Sequence, residues 1–162
     1  MNTLSPIENQ TTSPASPNST STGPVPAPLL PKRSLNVLCI DDDEQVLGSL
    51  KDCLAYYGHQ VKAASGGKCG IEMFCTAILK SEPYDVVITD LSMPDLDGYE
   101  VTRQCKAESP DTPFIIMSGM GATKEQANAL SAPVDAVVNK PPRMRELNDL
   151  LLNLAKKACD RI

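Results

Sequence analysis

Five polar residues stand where apolar runs stop. Asp41 and Asp42 follow Leu35, Val37, Leu38, Cys39 and Ile40. Asp90 follows the stretch from Tyr84 to Thr89, Ser118 follows Phe114 to Met117, and Lys140 lies just past Val134 to Val138. If those runs are strands laid side by side, three acids, a hydroxyl and an amine meet in one pocket. Three carboxylates within a few ångströms repel one another, and without a counterion their pKa values rise and the edge destabilises. A hard dication relieves this. Oxygen ligands with neither His nor Cys favour Mg²⁺, which keeps several waters and leaves a place for a phosphate oxygen. In that setting an aspartate can attack phosphorus and become an aspartyl phosphate, provided a metal and a lysine neutralise the transferring group. Lys140 supplies such a charge and Ser118 a hydroxyl donor.

The elements that must position these groups are legible in the same rhythm. Short continuous apolar runs fit strands buried on both faces of a parallel sheet. Between the first two, Val46, Leu47, Leu50, Cys53, Leu54 and Tyr57 recur at helical spacing up to Gly58, where a left-handed residue is cheap. Residues 60–64 read as extended, 68–80 as helical, and 99–108 as a helix closed by Ser109-Pro110. Residues 122–131 read as a further helix, and 134–138 as a fifth strand stopped by Lys140-Pro141-Pro142. Met144, Leu147, Leu150, Leu151, Leu154 and Ala158 make one apolar stripe for the last helix. Five strands alternating with five helices imply an α/β fold, a parallel sheet covered on both faces through right-handed crossovers. Ligands in such sheets bind beyond the carboxyl ends of the strands, where the five polar residues fall.

Composition sets the bounds. The chain has 162 residues with a net charge of -5, the opposite of the basic stripe of a phosphate-backbone binder, so direct nucleic-acid binding is not expected. No run approaches the roughly 18 apolar residues of a membrane span. Half of the 14 prolines fall in residues 1–34, with many Ser and Thr and only Glu8, Lys32 and Arg33 charged. Such a segment buries too little to offset its ordering entropy and reads as a disordered or partly polyproline-like tail, with the folded domain over 35–160. It lacks the pattern of a signal peptide, so the glycosylation triplets at Asn9 and Asn18 count as chance matches. Without the tail the net charge is -6. Six cysteines form no CxxC pair and sit mostly at core-like positions, which points to reduced thiols and a cytoplasmic chain.

Taken in order, Ile40-Asp41-Asp42-Asp43-Glu44, Asp90-Leu91-Ser92-Met93-Pro94-Asp95-Leu96-Asp97-Gly98, Met117-Ser118-Gly119 and Asn139-Lys140-Pro141 resemble the successive signatures of the response-regulator receiver domain of two-component signalling. The resemblance implies a flavodoxin-like strand order 2-1-3-4-5, an order for which a member of this family is a standard example. It implies Asp90 as phosphoacceptor, Asp42 as a direct Mg²⁺ ligand, Asp41 as a second acid acting through water, and the Ser92 backbone carbonyl as another ligand. Ser118 would bond a phosphoryl oxygen after transfer, and Lys140 would pair with Asp90 or its phosphate. The Lys140-Pro141 bond would be cis, and Gly98 would permit the tight turn before the third helix. The donor would be a histidine kinase or a histidine phosphotransfer protein.

The sequence departs from the family pattern in two places. Three residues before the lysine, where an aromatic rotamer often reports phosphorylation, stands Val137. Ser92 and Met120 occupy positions that tune phosphate lifetime, and neither carries a carboxylate or amide to orient attacking water, so slow self-dephosphorylation is expected. Such a domain is not a classical enzyme. It would signal through altered affinity of the face formed by the fourth helix, fifth strand and last helix for an unknown downstream protein. No output domain is expected after the last helix, so it would act through another molecule, pass its phosphate on, or be a fragment such as the receiver of a hybrid histidine kinase.

Other residues read as structural. Asp43 and Glu44 would be exposed acids opening a helix, Asp95 and Asp97 turn and capping residues, His59 a surface residue, and Met117 and Met120 core and rim filler. A rival class is a haloacid-dehalogenase-like phosphatase with Asp41 as nucleophile and Asp43 completing a DxD start. Glu44-Gln45, in place of a small hydroxyl residue or Val, and the short chain argue against it.

Overall fold

The computed structural model describes residues 33–119, 121–129 and 132–160. Most of the expected tail, the Asn9 and Asn18 triplets and Met120 lie outside the described residues. Strands and helices alternate as β1 (Asn36–Ile40), α1 (Glu44–Tyr56), β2 (Gln60–Ala64), α2 (Gly67–Leu79), β3 (Val86–Asp90), α3 (Gly98–Glu108), β4 (Phe114–Ser118), α4 (Lys124–Ala129), β5 (Ala136–Asn139) and α5 (Met144–Cys159). The strands form one parallel sheet in the order β2-β1-β3-β4-β5, as the resemblance implied.

Alternation along each strand divides the core. Val37, Cys39, Val86, Ile88, Ile115 and Met117 face Leu47, Leu50 and Leu54 of α1 and Leu147, Leu151 and Ala155 of α5. Their neighbours Leu38, Ile40, Val87 and Phe114 face Phe74 of α2 and Val101 and Cys105 of α3. Both faces are covered, so β3 and β4 are buried at every position, and their polar residues Thr89, Asp90 and Ser118 fall only at the strand ends. The edge strand β2 is buried only at Ala64. Each large side chain buried this way stabilises the fold by about 1.5–3 kcal/mol.

Element ends differ from expectation where side chains reclaim backbone groups. β3 starts at Val86 rather than Tyr84, because Asp85 turns its carboxylate back to accept the Asn36 N–H at 2.8 Å. β5 starts at Ala136 rather than Val134, because Asp135 accepts the Phe114 N–H at 2.9 Å. α4 starts after Thr123, whose hydroxyl accepts the Gln126 N–H while Gln126 accepts the Thr123 N–H, a reciprocal cap. The expected last residues of that helix, 130 and 131, lie outside the described residues. No helix among the described residues is long and apolar enough to cross a membrane.

Two side-chain expectations are corrected. His59 is buried, not a surface residue. Gly58, at φ 86°, turns the chain under α1. There His59 Nδ1 accepts the Leu35 N–H at 3.2 Å and Nε2–H donates to Asn148 Oδ1 of α5 at 2.9 Å. Because a backbone N–H can only donate, it fixes the neutral Nε2–H tautomer. The six cysteines are free thiols, but only Cys39 and Cys105 are fully buried, while Cys69 and Cys159 are exposed. Burial pushes the Cys39 thiol, and that of Cys105, up to about 12. At the start of α3 close approach requires Gly98, since a Cβ there would lie 2.3 Å from the Asp90 carbonyl oxygen.

Candidate phosphoryl and metal site

Parallel register brings the polar residues together. Ile40 pairs with Thr89 and Asp90 with Met117, so Asp41 and Asp90 leave neighbouring strands at the same level. Ser118 pairs with Asn139, and its carbonyl accepts the Lys140 N–H at 2.9 Å. All four strand-end groups therefore open onto the carboxyl edge of the sheet. The Lys140-Pro141 peptide bond is cis.

Asp41 is buried and Asp42 exposed, and carboxylate oxygens of Asp41, Asp42 and Asp90 lie within 4.8 Å of one another. The Lys140 ammonium reaches Asp41 Oδ2 and Asp90 Oδ1, each at 2.7 Å. Burial acts to lower the Lys140 pKa, but hydrogen bonds and charge from Asp41 and Asp90 outweigh it and hold the ammonium above its ordinary value. One ammonium against three carboxylates leaves two negative charges unbalanced in a partly enclosed place. The donor set is all oxygen with one ligand facing solvent, the chemistry of a hard divalent cation that keeps its waters. The cluster is thus positioned to bind a metal.

Local bonds hold the acids in place. Asp41 Oδ1 accepts the Asp43 N–H at 2.9 Å, and Asp90 Oδ2 accepts the Ser92 N–H at 3.0 Å. The Leu91 N–H donates to the Met117 carbonyl, and the Gly98 N–H to the Leu91 carbonyl, closing the base of the loop after Asp90. Ser92 is exposed next to the cluster and Ser118 is buried at its edge. Val137 packs against the cluster of Ile116, Ala132 and Val134, and no aromatic ring occupies that position. A groove of about 570 Å³ between α1 and the start of α5 opens beside the site, sharing Asp43 and Lys140 with its rim.

The acids read as structural do structural work. Asp43 is the N-cap of α1 and accepts the Gln45 and Val46 N–H groups. That task occupies the side chain a DxD phosphatase would need as its second carboxylate. Asp97 caps α3 through the Glu100 N–H at 2.8 Å. Asp95 does something the sequence reading did not find. It caps α2, a helix it does not belong to, accepting the Gly67 N–H at 3.1 Å and the Lys68 N–H at 2.9 Å. The only signal in the sequence was the Gly66-Gly67 pair, which leaves α2 without a side-chain cap of its own.

Comparison with known proteins agrees with this geometry. The family model for the response regulator receiver domain matches residues 37–152. Response regulator MprA of Mycobacterium ulcerans is 32% identical over 114 residues, 70% of this chain and 47% of that protein. MprA of Mycobacterium leprae is 32% identical over 113 residues, again 70% and 47%. The chain spans about half the length of the curated relatives it matches. Among solved structures, a response regulator receiver domain protein from Clostridium thermocellum superposes with a TM-score of 0.71 at 27% identity, covering 79% of this chain and 99% of that one. A Francisella response regulator receiver domain gives 0.65 at 27% identity, covering 76% and 98%. The chain belongs to the response regulator receiver family. It is a phosphoacceptor domain of two-component signalling, with its acidic triad poised for metal-dependent phosphorylation.

Proposed function

We propose that Asp90 is the phosphoacceptor and that Mg²⁺ is the metal. Asp41, Asp42, Asp90 and the Ser92 carbonyl would hold it, with Asp41 acting through water. When bound, the cation supplies Lewis-acid neutralisation of the phosphoryl oxygens. An Asp90 carboxylate oxygen attacks phosphorus, the O–P bond forms as the bond to the donor breaks, and the donor's leaving group departs with the electron pair of that bond. Lys140, already bonded to Asp90, follows the charge onto the phosphoryl group, and Ser118 donates a hydrogen bond to one of its oxygens. The observation that carries this reading is the 2.7 Å contact of Lys140 with both Asp41 and Asp90. It binds two strand ends and leaves the third acid, Asp42, open to solvent.

The family supports a histidine kinase or histidine phosphotransfer protein as donor. Phosphorylation adds about two negative charges, which draw Ser118 and the loop after it inward and alter the affinity of the α4-β5-α5 face for a downstream protein. Signalling does not run through an aromatic rotamer at Val137. Neither Ser92 nor Met120 carries a carboxylate or amide to orient attacking water, so the aspartyl phosphate is long-lived; a half-life of seconds would contradict this. The receiver unit is residues 35–160, preceded by a linker-like tail over 1–34, and the compartment is the cytoplasm, where free thiols persist.

The test is to incubate the chain with Mg²⁺ and acetyl phosphate and map the labile phosphate. Label on Asp90, lost in Asp90→Asn, supports the assignment, whereas label on Asp41 would make the protein hydrolase-like. Lys140→Ala is expected to keep the label and lose signalling.

A further inference from the structure

The loop that follows Asp90 is fixed at its base by backbone bonds and in depth by Met93 and Leu96, which pack into the core beside α2 and α3. Its outer limb, residues 92–97, carries Ser92 and is tied sideways to α2 through Asp95. Both carboxylate oxygens are used: Oδ1 accepts the Gly67 N–H and Oδ2 the Lys68 N–H. Oδ1 also accepts the Leu96 N–H at 2.8 Å. The Gly67 and Lys68 donors are orphan amides of the α2 first turn, and a carboxylate there also meets the positive end of the helix. The bond to Lys68 N–H, with those to Leu96 and Gly67, outweighs burial and holds the Asp95 carboxyl below its ordinary value. The fit is close. A Cβ on Gly66, at φ +132°, would lie 3.3 Å from Asp95 Oδ2, and one on Gly67 would lie 2.9 Å from the Leu96 and Val101 side chains. Gly66 is needed for its backbone angle, and Gly67 because the limb and α3 press on the helix end.

We propose that Asp95 is a positioning residue for the acid cluster: by capping α2 from the β3–α3 loop, it holds the limb so that the Ser92 carbonyl faces the cation. The role deepens the metal reading above and rests on it. Coupling is reciprocal, since a cation that prefers the capped loop must also tighten the cap. The first turn of α2 therefore reports occupancy of a site to which it contributes no ligand.

The experiment titrates MgCl₂ into the full chain by calorimetry and follows amide exchange at Gly67 and Lys68, for the parent, Asp95→Ala, Asp95→Asn and Asn148→Ala. Asp95→Ala is expected to weaken Mg²⁺ binding about tenfold, the lower end of what loss of an outer-shell partner costs. Asp95→Asn, keeping one acceptor oxygen, should fall between. Asn148→Ala is destabilised at the far end of the sheet and should keep the parent affinity. Mg²⁺ should slow exchange at Gly67 and Lys68 in the parent but not in Asp95→Ala. A parent that binds Mg²⁺ beside an Asp95→Ala that binds within twofold of it overturns the role of Asp95 alone. So does an Asn148→Ala as impaired as Asp95→Ala. A parent that binds no Mg²⁺ overturns the metal reading as well.

Discussion

The two ends of the sheet hold polar groups in opposite states. At the amino end, the Leu35 N–H meets His59, His59 meets Asn148, and the Asn36 N–H meets Asp85. Ser34 closes on the Gly58 carbonyl at 2.7 Å, and Arg33 lies 3.2 Å from Asp85. Donors and acceptors there are matched, and the buried imidazole is neutral. At the carboxyl end, Asp41 and Asp90 are as buried as His59, yet three carboxylates cluster there and one ammonium pairs with two of them. Matching polar groups secures the fold. Leaving charge unmatched costs stability and creates affinity for a cation and a phosphoryl group. A fold that can spend one edge on chemistry needs the other to hold firm.

Substitutions at the two ends should therefore separate function from stability. The largest effect is expected for Asp90→Asn, which should abolish covalent labelling by acetyl phosphate while His59→Ala retains it, as intact-mass measurement would show. His59→Ala should instead lose about 2–4 kcal/mol of unfolding free energy in urea, because it strands a buried N–H and the Asn148 amide. A His59→Ala protein as stable as the parent would dissolve the contrast. Gly98→Ala places a methyl against the Asp90 carbonyl and should cost about 1–3 kcal/mol by overpacking, while also slowing labelling, since the backbone that must yield carries the proposed phosphoacceptor. Asp42→Asn should do the reverse of a core mutation. Without metal it relieves repulsion at an exposed position and is expected to gain at most about 1 kcal/mol, read from the same urea curves.

The smallest effect concerns the thiols. At pH 8 a disulfide reagent should label Cys69 and Cys159 quickly and leave Cys105 unmodified until unfolding. The Cys105 thiol is raised by burial to about 12, so it stays protonated in the folded state while the unfolded thiol ionises near 8.5. Its contribution to stability is complete below that unfolded value and is lost as pH rises toward the folded one. The stability gap between the parent and Cys105→Ala, read from alkaline urea titrations, should narrow in that window.

Much of this was legible in the sequence because the chemistry sits at strand ends. Strand identity followed from burial on both faces, and a break from apolar to Asp, Ser or Lys marks where a strand meets solvent. The signatures around Asp41, Asp90, Ser118 and Lys140 then gave order and strand arrangement. What escaped were contacts that link distant segments through groups common to any surface. His59 looked like an exposed turn residue because its partner, Asn148, lies 89 positions away. Asp95 looked like a local cap because nothing near it in the sequence shows that α2 lacks one. The shortened starts of β3 and β5 have the same cause: Asp85 and Asp135 bond to other strands, and propensity does not register that.

The central claim is that folding assembles a divalent cation site from Asp41, Asp42 and Asp90. Calorimetric titration with MgCl₂ tests it most directly. The parent should bind one Mg²⁺ per chain in the low millimolar range or tighter, and the Asp42→Asn/Asp90→Asn double variant, folded by circular dichroism, should not. No heat of binding from the parent at tens of millimolar Mg²⁺, or equal binding by the double variant, would contradict it.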